Sequence, residues 1–300
     1  MAAGRPVRPG GRAAREVRGM GDATGTSGTD RAVKAKHRAM WALGDYAAVA
    51  DELIPSLGAA LVEACGIGAG TRVLDVAAGT GNAAIPAALA GADVVASDLT
   101  PELLDAGRLI AEGLGAELEW READAEALPF ADGTFDTVMS CVGVMFAPHH
   151  QAGADEMLRV CRPGGTIGLV NWTPESFVGR MFAMMKPYAP PPPPGAQPPP
   201  LWGDEEHVRA LLGERVASVD ARRAGVRVDR FTTPEELRDY FKENYGPTIA
   251  VYRNIADSPE RVAALNRELA ELARGHARFT GGADGMAMEW EYLLLTARRS

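Results

Sequence analysis

The stretch Thr71-Arg72-Val73-Leu74-Asp75-Val76-Ala77-Ala78-Gly79-Thr80-Gly81-Asn82-Ala83-Ala84 decides how this chain is organised. Residues 73–76 are mostly apolar, which is typical of a short buried strand. Gly79-Thr80-Gly81 leaves no room for bulky side chains and predicts a tight turn, and the alanine-rich residues from Asn82 onward predict a helix. A strand, a glycine turn and a helix place backbone N–H groups and a positive helix end beside a ligand.

Two further carboxylates follow the next strands of the pattern. Asp98 ends an apolar run that begins near Ala92, and Asp124 follows a short strand predicted at residues 116–121. Because the carboxyl ends of parallel strands meet at one edge of an open sheet, we expect Asp75, Asp98 and Asp124 to surround one ligand. Asp98 has two acceptor oxygens for a ribose diol, Asp124 suits an adenine amine, and Asp75 suits an ammonium group. The ligand inferred from these residues is an adenosine that carries an amino acid and no phosphates.

Composition limits the class of protein. The chain has 300 residues, of which 46% are hydrophobic, and this is enough for one large domain, or for one domain with a small cap. No apolar run approaches the roughly 20 residues of a membrane span, so we expect no membrane insertion. Three cysteines without a CxxC pair indicate reduced thiols in a cytoplasmic protein, and the sequence has no visible metal-binding cluster.

The charge is unevenly distributed. The net charge is -9, although residues 1–38 contain nine basic and three acidic side chains. The residues after 38 are acidic overall, which argues against a nucleic-acid substrate. The basic N-terminal segment lacks the apolar stretch of a secretory signal and has few large apolar residues, so residues 1–30 are predicted to be a disordered basic extension.

The remaining chain divides into four predicted parts. Residues 31–69 are N-terminal lid helices, the second of which runs from about 46 to 65 and bends at Pro55. Residues 70–172 alternate strands and helices, which predicts a doubly wound parallel sheet of the α/β class. Residues 173–285 contain a proline-rich connector, a strand at 217–231 with a bulge or turn near Arg223-Ala224-Gly225, and cap helices at 205–212, 234–244 and 258–276. Residues 286–300 are predicted to add the final strand.

Five segments together resemble the class I S-adenosylmethionine-dependent methyltransferases, in particular the ubiquinone/menaquinone C-methyltransferase-like group. They are residues 73–81 and 96–104, Asp124-Ala125-Glu126-Ala127-Leu128-Pro129-Phe130, Phe135-Asp136, and Leu158-Arg159-Val160-Cys161-Arg162-Pro163-Gly164-Gly165. The resemblance implies a seven-stranded Rossmann-like sheet with an antiparallel last strand and a helical lid over the carboxyl ends of the strands. It implies S-adenosyl-L-methionine as cofactor and S-adenosyl-L-homocysteine as product. Because the sequence has no visible metal-binding cluster, we expect no metal.

The predicted cofactor contacts combine this resemblance with the turn and lid described above. They are Tyr46, Asp75, Gly79, Thr80, Gly81, Asp98, Leu99, Asp124, Ala125 and Cys141. The resemblance implies the contact at Cys141 as well, although the group commonly has serine at that position.

Two other classes of protein are also compatible with the sequence. Ala84 as the third small residue of the turn permits an NAD-dependent oxidoreductase, although Asp75 and the segment 124–130 disfavour it. A non-catalytic methyltransferase-like binding module is the second alternative.

The acceptor is predicted to be a small, hydrophobic or aromatic metabolite that receives the methyl group by in-line transfer. The predicted wall of its pocket consists of Trp41, Met145, Phe146, Trp172 and Tyr245. Trp41 and Tyr46 are equally compatible with simple packing against the domain. His149 and His150 are candidate general bases, or alternatively the start of a helix. We expect a monomer or homodimer whose acceptor is a small molecule.

Overall fold

The central strand of the fold is built from the apolar run that follows Thr71. A computed structural model describes residue 1, residues 28–279 and residues 285–300. Strand β1 (Arg72–Val76) lies between two parallel neighbours, and Val73, Leu74 and Val76 are fully buried. A strand that is buried in this way reads as a nearly continuous apolar run. The predicted strand and its central place in the sheet follow from that requirement.

The other strands are β2 (Asp93–Asp98), β3 (Glu119–Glu122), β4 (Phe135–Cys141), β5 (Cys161–Trp172), β6 (Val216–Val228), β7 (Arg278–Phe279) and β8 (Met286–Arg299). Their order is β3-β2-β1-β4-β5-β8-β6, and β7 pairs with β8 outside this path. Strands β1 to β5 are parallel, whereas β8 is antiparallel to both β5 and β6. The predicted seven-stranded α/β sheet with an antiparallel last strand is confirmed.

The described helices are α1 (Gly28–Trp41), α2 (Tyr46–Leu53), α3 (Pro55–Ala64), α4 (Ala84–Leu89), α5 (Pro101–Leu114), α6 (His150–Val160), α7 (Phe177–Met185), α8 (Glu205–Leu212), α9 (Pro234–Asn244), α10 (Gly246–Asn254) and α11 (Pro259–His276). Within the described ranges, no helix has the length and apolar character needed to cross a membrane. Residues 2–27 of the predicted N-terminal extension lie outside the described residues, and α1 begins three residues before the predicted boundary at 31.

Three local predictions need correction. The predicted bent helix at 46–65 is two helices, because Ile54 leaves the helical conformation (φ -136°, ψ 33°) and Pro55 restarts the helix as its first residue. Between the predicted helices at 234–244 and 258–276 lies α10, whose start is marked by Gly246-Pro247. Strand β6 is regular near Gly225, and its register shift lies between Val216 and Ser218. Gly225 instead leaves space for the side chain of Glu289, whose carboxylate would lie 2.3 Å from an added Cβ.

Two segments that are distant in sequence meet above the carboxyl end of β1. The N–H of Asp45 donates to the carbonyl of Asn244 (3.1 Å), and Gly44 forms a β-bridge with Tyr245. The N-terminal helices and the cap helices therefore join into one cover. The proline-rich connector is fixed to the same region, because the N–H of Gln197 donates to the carbonyl of Pro148 (3.0 Å).

Candidate active site

The glycine turn and the end of β2 are linked by a carboxylate. The N–H of Gly79 donates to Oδ2 of Asp98 (2.9 Å), and the N–H of Thr100 donates to Oδ1 (2.8 Å). Asp98 is 7% exposed, and burial raises the pKa of its carboxyl group while these N–H donors oppose the shift. Each carboxylate oxygen has more than one acceptor position, so both can also accept from a ligand bound at this edge of the sheet.

The backbone at this edge of the sheet contains two strained residues. Ala77 after β1 and Val142 after β4 have φ of 55° and 52°, a region that residues with a Cβ rarely adopt. Both residues line a cleft at this edge of the sheet. The sequence carries no signal for this conformation, because neither residue is glycine or asparagine.

Asp75 is the most unusual carboxylate of the site. It is 1% exposed, and neither of its oxygens accepts a hydrogen bond of normal geometry from the described residues. Burial raises its pKa to about 8; the nearby N–H of Ala84 lowers it, and the charge of Asp98 raises it further. A buried carboxylate without partners is expected to be neutral unless a cation lies beside it.

The cleft contains six of the ten predicted cofactor residues. Its lining includes Tyr46, Gly79, Asp98, Leu99, Asp124 and Ala125. Asp75, Thr80, Gly81 and Cys141 lie outside the lining. Gly81 faces the ring of Trp120, which would lie 2.8 Å from an added Cβ. Cys141 is close enough to Asp75 for that carboxylate to raise the pKa of its thiol, although burial is the larger cause.

An aromatic wall, formed by Trp41, Tyr46 and Phe146, covers one side of the cleft. The ring of Trp41 lies 5.4 Å from that of Tyr46 and 4.7 Å from that of Phe146, both in edge-on contact. Tyr245 contacts Trp41 at 5.9 Å from behind this wall and is 5% exposed. Burial raises the pKa of Tyr46, so its hydroxyl stays neutral at physiological pH. The wall is apolar and shields this side of the cleft from water.

Like Tyr245, the predicted wall residues Met145 and Trp172 lie outside the cleft lining. Met145 is fully buried, because it belongs to a 3₁₀ helix at Val144–Phe146 in which successive side chains point about 120° apart. Phe146 faces the cleft and Met145 therefore faces the core. Trp172 is 3% exposed and packs edge-on against Trp290, 5.9 Å away. Both are corrected to core residues.

The candidate bases His149 and His150 also lie outside the cleft lining. His150 is fully buried, with Nδ1 3.0 Å from Nε2 of His207 and its ring against Trp202. Its Nε2 has no hydrogen-bond partner among the described residues. Burial, together with the charge of His207, lowers the pKa of His150 to about 4. His150 is thus a neutral core residue.

His149 is bound to a carboxylate at the rim of the cleft. Its Nδ1 lies 3.0 Å from Oε2 of Glu126, and its N–H donates to Oε1 (2.7 Å). The hydrogen bond to Glu126 raises the pKa of His149. This geometry gives His149 a role in holding Glu126 and offers no support for a catalytic role.

Burial of neutral His150 predicts acid sensitivity. Its pKa falls from 6.5 in the unfolded chain to about 4 in the fold, so between these values the unfolded state binds the extra proton. Stability should therefore fall as pH decreases through this window, by up to about 3 kcal/mol from this one group. Urea unfolding at pH 7 and pH 5 should show that His150→Asn loses less stability on acidification than the wild type. Equal losses in both proteins would exclude His150 as the source.

Lys34 and His37 were missed by sequence reasoning, although both line the cleft. They lie on the same face of α1 as Trp41, at spacings of three and four residues. This spacing was the signal that could have found them. Burial, and secondarily the charge of Lys34, lowers the pKa of His37, which keeps its imidazole neutral.

One group of side chains has the spacing of a metal site. Ligand atoms of Asp30, Glu126 and His149 lie within 4.8 Å of one another. The ammonium group of Lys34 already contacts Glu126 and competes with any cation there. The expectation of metal-free function stays a prediction.

Comparison with known proteins agrees with this architecture. The family described as "Methyltransferase domain" matches residues 73–165, which contain all but the first residue of β1, the glycine turn, Asp98 and Asp124. This chain belongs to the class I methyltransferases. It is 55% identical to Uncharacterized protein Rv1403c of Mycobacterium tuberculosis over 88% of this chain and 94% of that protein.

Two further proteins are similar over different extents. A demethylmenaquinone methyltransferase of Clavibacter sepedonicus is 40% identical over 41% of this chain and 51% of its own length. The crystal structure of the YcgJ protein from Bacillus subtilis matches 81% of this chain and 97% of that chain, with a TM-score of 0.57 and 16% identity. The latter similarity concerns the fold alone.

Proposed function

We propose that this protein transfers a methyl group from S-adenosyl-L-methionine to a small apolar or aromatic acceptor. The observation that carries the proposal is the bond between the N–H of Gly79 and Asp98. In a dinucleotide site, the glycine turn directs its N–H groups at a pyrophosphate. Here a carboxylate occupies that N–H and places negative charge where the phosphates would lie. An NAD-dependent oxidoreductase is disfavoured for this reason.

The residues of the cleft fit the three parts of the cofactor. Asp98 would accept from the ribose hydroxyls, and Asp124 would accept from the adenine amine, with Leu99 and Ala125 as apolar contacts. Asp75 supplies the fit test for the amino-acid part: it lies outside the cleft lining, yet its buried oxygens accept no hydrogen bond of normal geometry from the described residues, and an ammonium group beside it would satisfy them. When bound, the cofactor supplies a methyl group on a sulfonium, which is already an activated leaving group.

The chain's own contribution to the transfer is binding, alignment and exclusion of water. Positioning two reactants in line can contribute roughly 7–11 kcal/mol to lowering a barrier. The aromatic wall of Trp41, Tyr46 and Phe146 provides an apolar surface on which a flat acceptor can be held. We assign no general base to His149 or His150, because neither lines the cleft.

The Clavibacter relative bears the name of an enzyme that acts on demethylmenaquinone. Its similarity covers 41% of this chain, so it supports methyl-transfer chemistry more than it supports a particular acceptor. An apolar aromatic acceptor is nevertheless consistent with the aromatic wall. The helices that follow β5, α7 to α11, would determine which acceptor binds.

Cofactor binding tests the proposal directly. Calorimetry should show that S-adenosylhomocysteine binds with micromolar affinity, about -8 kcal/mol, and that EDTA does not abolish binding. Incubation of labelled cofactor with candidate aromatic metabolites, followed by product mass analysis, would then identify the acceptor. Tighter binding of NAD than of S-adenosylhomocysteine would overturn the proposal. Tight cofactor binding without turnover of any acceptor would favour the binding-module alternative.

A further inference from the structure

A nearly buried ionic cluster lies at the mouth of the cleft and joins the lid helix to the cofactor-binding core. Nζ of Lys34 on α1 lies 2.9 Å from Oδ1 of Asp124 and also contacts Oε2 of Glu126. The side chains of Lys34, Asp124 and Glu126 are 10%, 23% and 8% exposed. Removing one partner of an ion pair this far from water is strongly destabilising, because the other charge is then buried without compensation.

The two carboxylates of the cluster have different freedom. Both oxygens of Glu126 are occupied, by Lys34 and by the backbone and ring of His149. Although burial raises the pKa of Glu126, Lys34 and His149 hold it below its usual value, so Glu126 is ionised. Glu126 is therefore a fixed structural anion that anchors Lys34 and His149.

Asp124 uses only one oxygen in the described hydrogen bonds. Its Oδ1 accepts from Nζ of Lys34 and from the N–H of Glu126, both at 2.9 Å. Two donors on one oxygen fix the rotation of the carboxylate about its χ angles. Among the described residues no donor to Oδ2 is found, and Asp124 lines the cleft. The second oxygen is therefore held in place and available to a ligand.

We infer that Lys34 is a positioning residue for base recognition: it holds Asp124 so that Oδ2 accepts from the exocyclic amine of an adenine. This inference rests on the proposed function, because it takes the cleft as a nucleoside site. The ligand it selects is a purine with an amino group at C6, and a purine with a carbonyl there would place an acceptor against an acceptor. Because Lys34 belongs to α1, the same ion pair that closes the lid also orients the base-reading carboxylate.

The test compares two ligands that differ only at that position, S-adenosylhomocysteine and S-inosylhomocysteine. A hydrogen bond to a charged group corresponds to roughly 10- to 150-fold in affinity, so the wild type should prefer the adenosine ligand by about that factor. Lys34→Met should lower the affinity for S-adenosylhomocysteine by about tenfold or more and change the affinity for S-inosylhomocysteine little. The preference for the adenosine ligand should therefore decrease. Lys34→Arg, which keeps the charge, should restore most of it.

Lys36→Met is the matched control, since Lys36 is exposed on the same helix. It should leave both affinities at the wild-type values. If Lys34→Met does not fold, Lys34→Arg and Lys34→Gln measured by the same ratio still decide the question. The cycle with Asp124→Asn adds a second criterion, because Lys34→Met should have no further effect on the preference in that background.

The outcomes separate this inference from the proposed function. If the wild type binds S-adenosylhomocysteine and Lys34→Met weakens both ligands by the same factor, Lys34 merely fastens the lid and the inference is overturned. The proposed function is unaffected by that result. If the wild type binds neither ligand, the proposed function is overturned and the inference with it.

Discussion

Asp98→Ala is expected to reduce affinity for S-adenosylhomocysteine by at least two orders of magnitude. The carboxylate offers both oxygens to a ribose diol, and each hydrogen bond to a charged acceptor contributes roughly 1.5–3 kcal/mol. No other described carboxylate in the cleft lies at the end of β2, next to the glycine turn. Calorimetry on the purified variant measures the loss directly.

The structure shows that Asp98 also has a structural role, which the experiment must separate. Its two bonds to Gly79 and Thr100 connect the turns after β1 and β2, so the alanine variant loses stability as well. Asp98→Asn keeps a carbonyl acceptor for one of these N–H groups and is the better test of ribose binding. Asp105→Ala, an exposed carboxylate on α5, is the matched control and should bind normally. Near-normal affinity of a folded Asp98→Asn would mean that another group holds the ribose.

The stability of Asp75→Asn relative to the wild type, both without ligand, is expected to be higher at pH 8 than at pH 4. The pKa of Asp75 is about 8 in the fold and 3.8 in a model peptide. Between these values the folded state retains a proton that the unfolded state has lost. Stability therefore falls as pH rises from 4 to 8, by about 1.4 kcal/mol per pH unit, or several kcal/mol in total. Asparagine cannot ionise and removes this slope.

Cofactor binding should reverse the preference of folded Asp75 for its protonated form. An ammonium group beside Asp75 favours the ionised carboxylate, so binding at pH 7 should release up to one proton. Calorimetry in two buffers with different ionisation enthalpies measures that proton. Wild-type affinity should increase from pH 6 to pH 8, whereas Asp75→Asn should bind weakly with little pH dependence. Identical pH profiles of affinity and stability in the two proteins would show that Asp75 does not titrate in this range.

The cofactor half of the fold could be predicted because its determinants are local. Asp75 is the penultimate residue of β1, Asp98 is the last residue of β2 and Asp124 follows β3, and a parallel sheet brings these ends to one edge whatever the rest of the chain does. The glycine turn is recognisable for the same reason. Backbone direction and residue type were sufficient, and no long-range packing had to be known.

The acceptor side could not be predicted to the same depth, because side-chain direction there depends on distant packing. His150 points into the core because Trp202 and His207, more than fifty residues later, complete its surroundings. Met145 and Phe146 are adjacent and similar in character, yet a single 3₁₀ turn sends one to the core and the other to the cleft. The left-handed backbone of Ala77 is likewise imposed by the folded chain.

The place of β8 between β5 and β6 has a consequence for synthesis on the ribosome. Strands β1 to β5 can pair with one another as soon as they emerge, whereas β6 pairs only with β8 among the described strands. The ribosome must add the residues from 229 to 299 before that partner is complete, which at 5–20 residues per second takes roughly 4–14 s. During this interval the edges of β5 and β6 are both open to other chains. A pause in translation of this segment would lengthen the exposure, so the yield of folded protein should depend on how fast this part of the message is read.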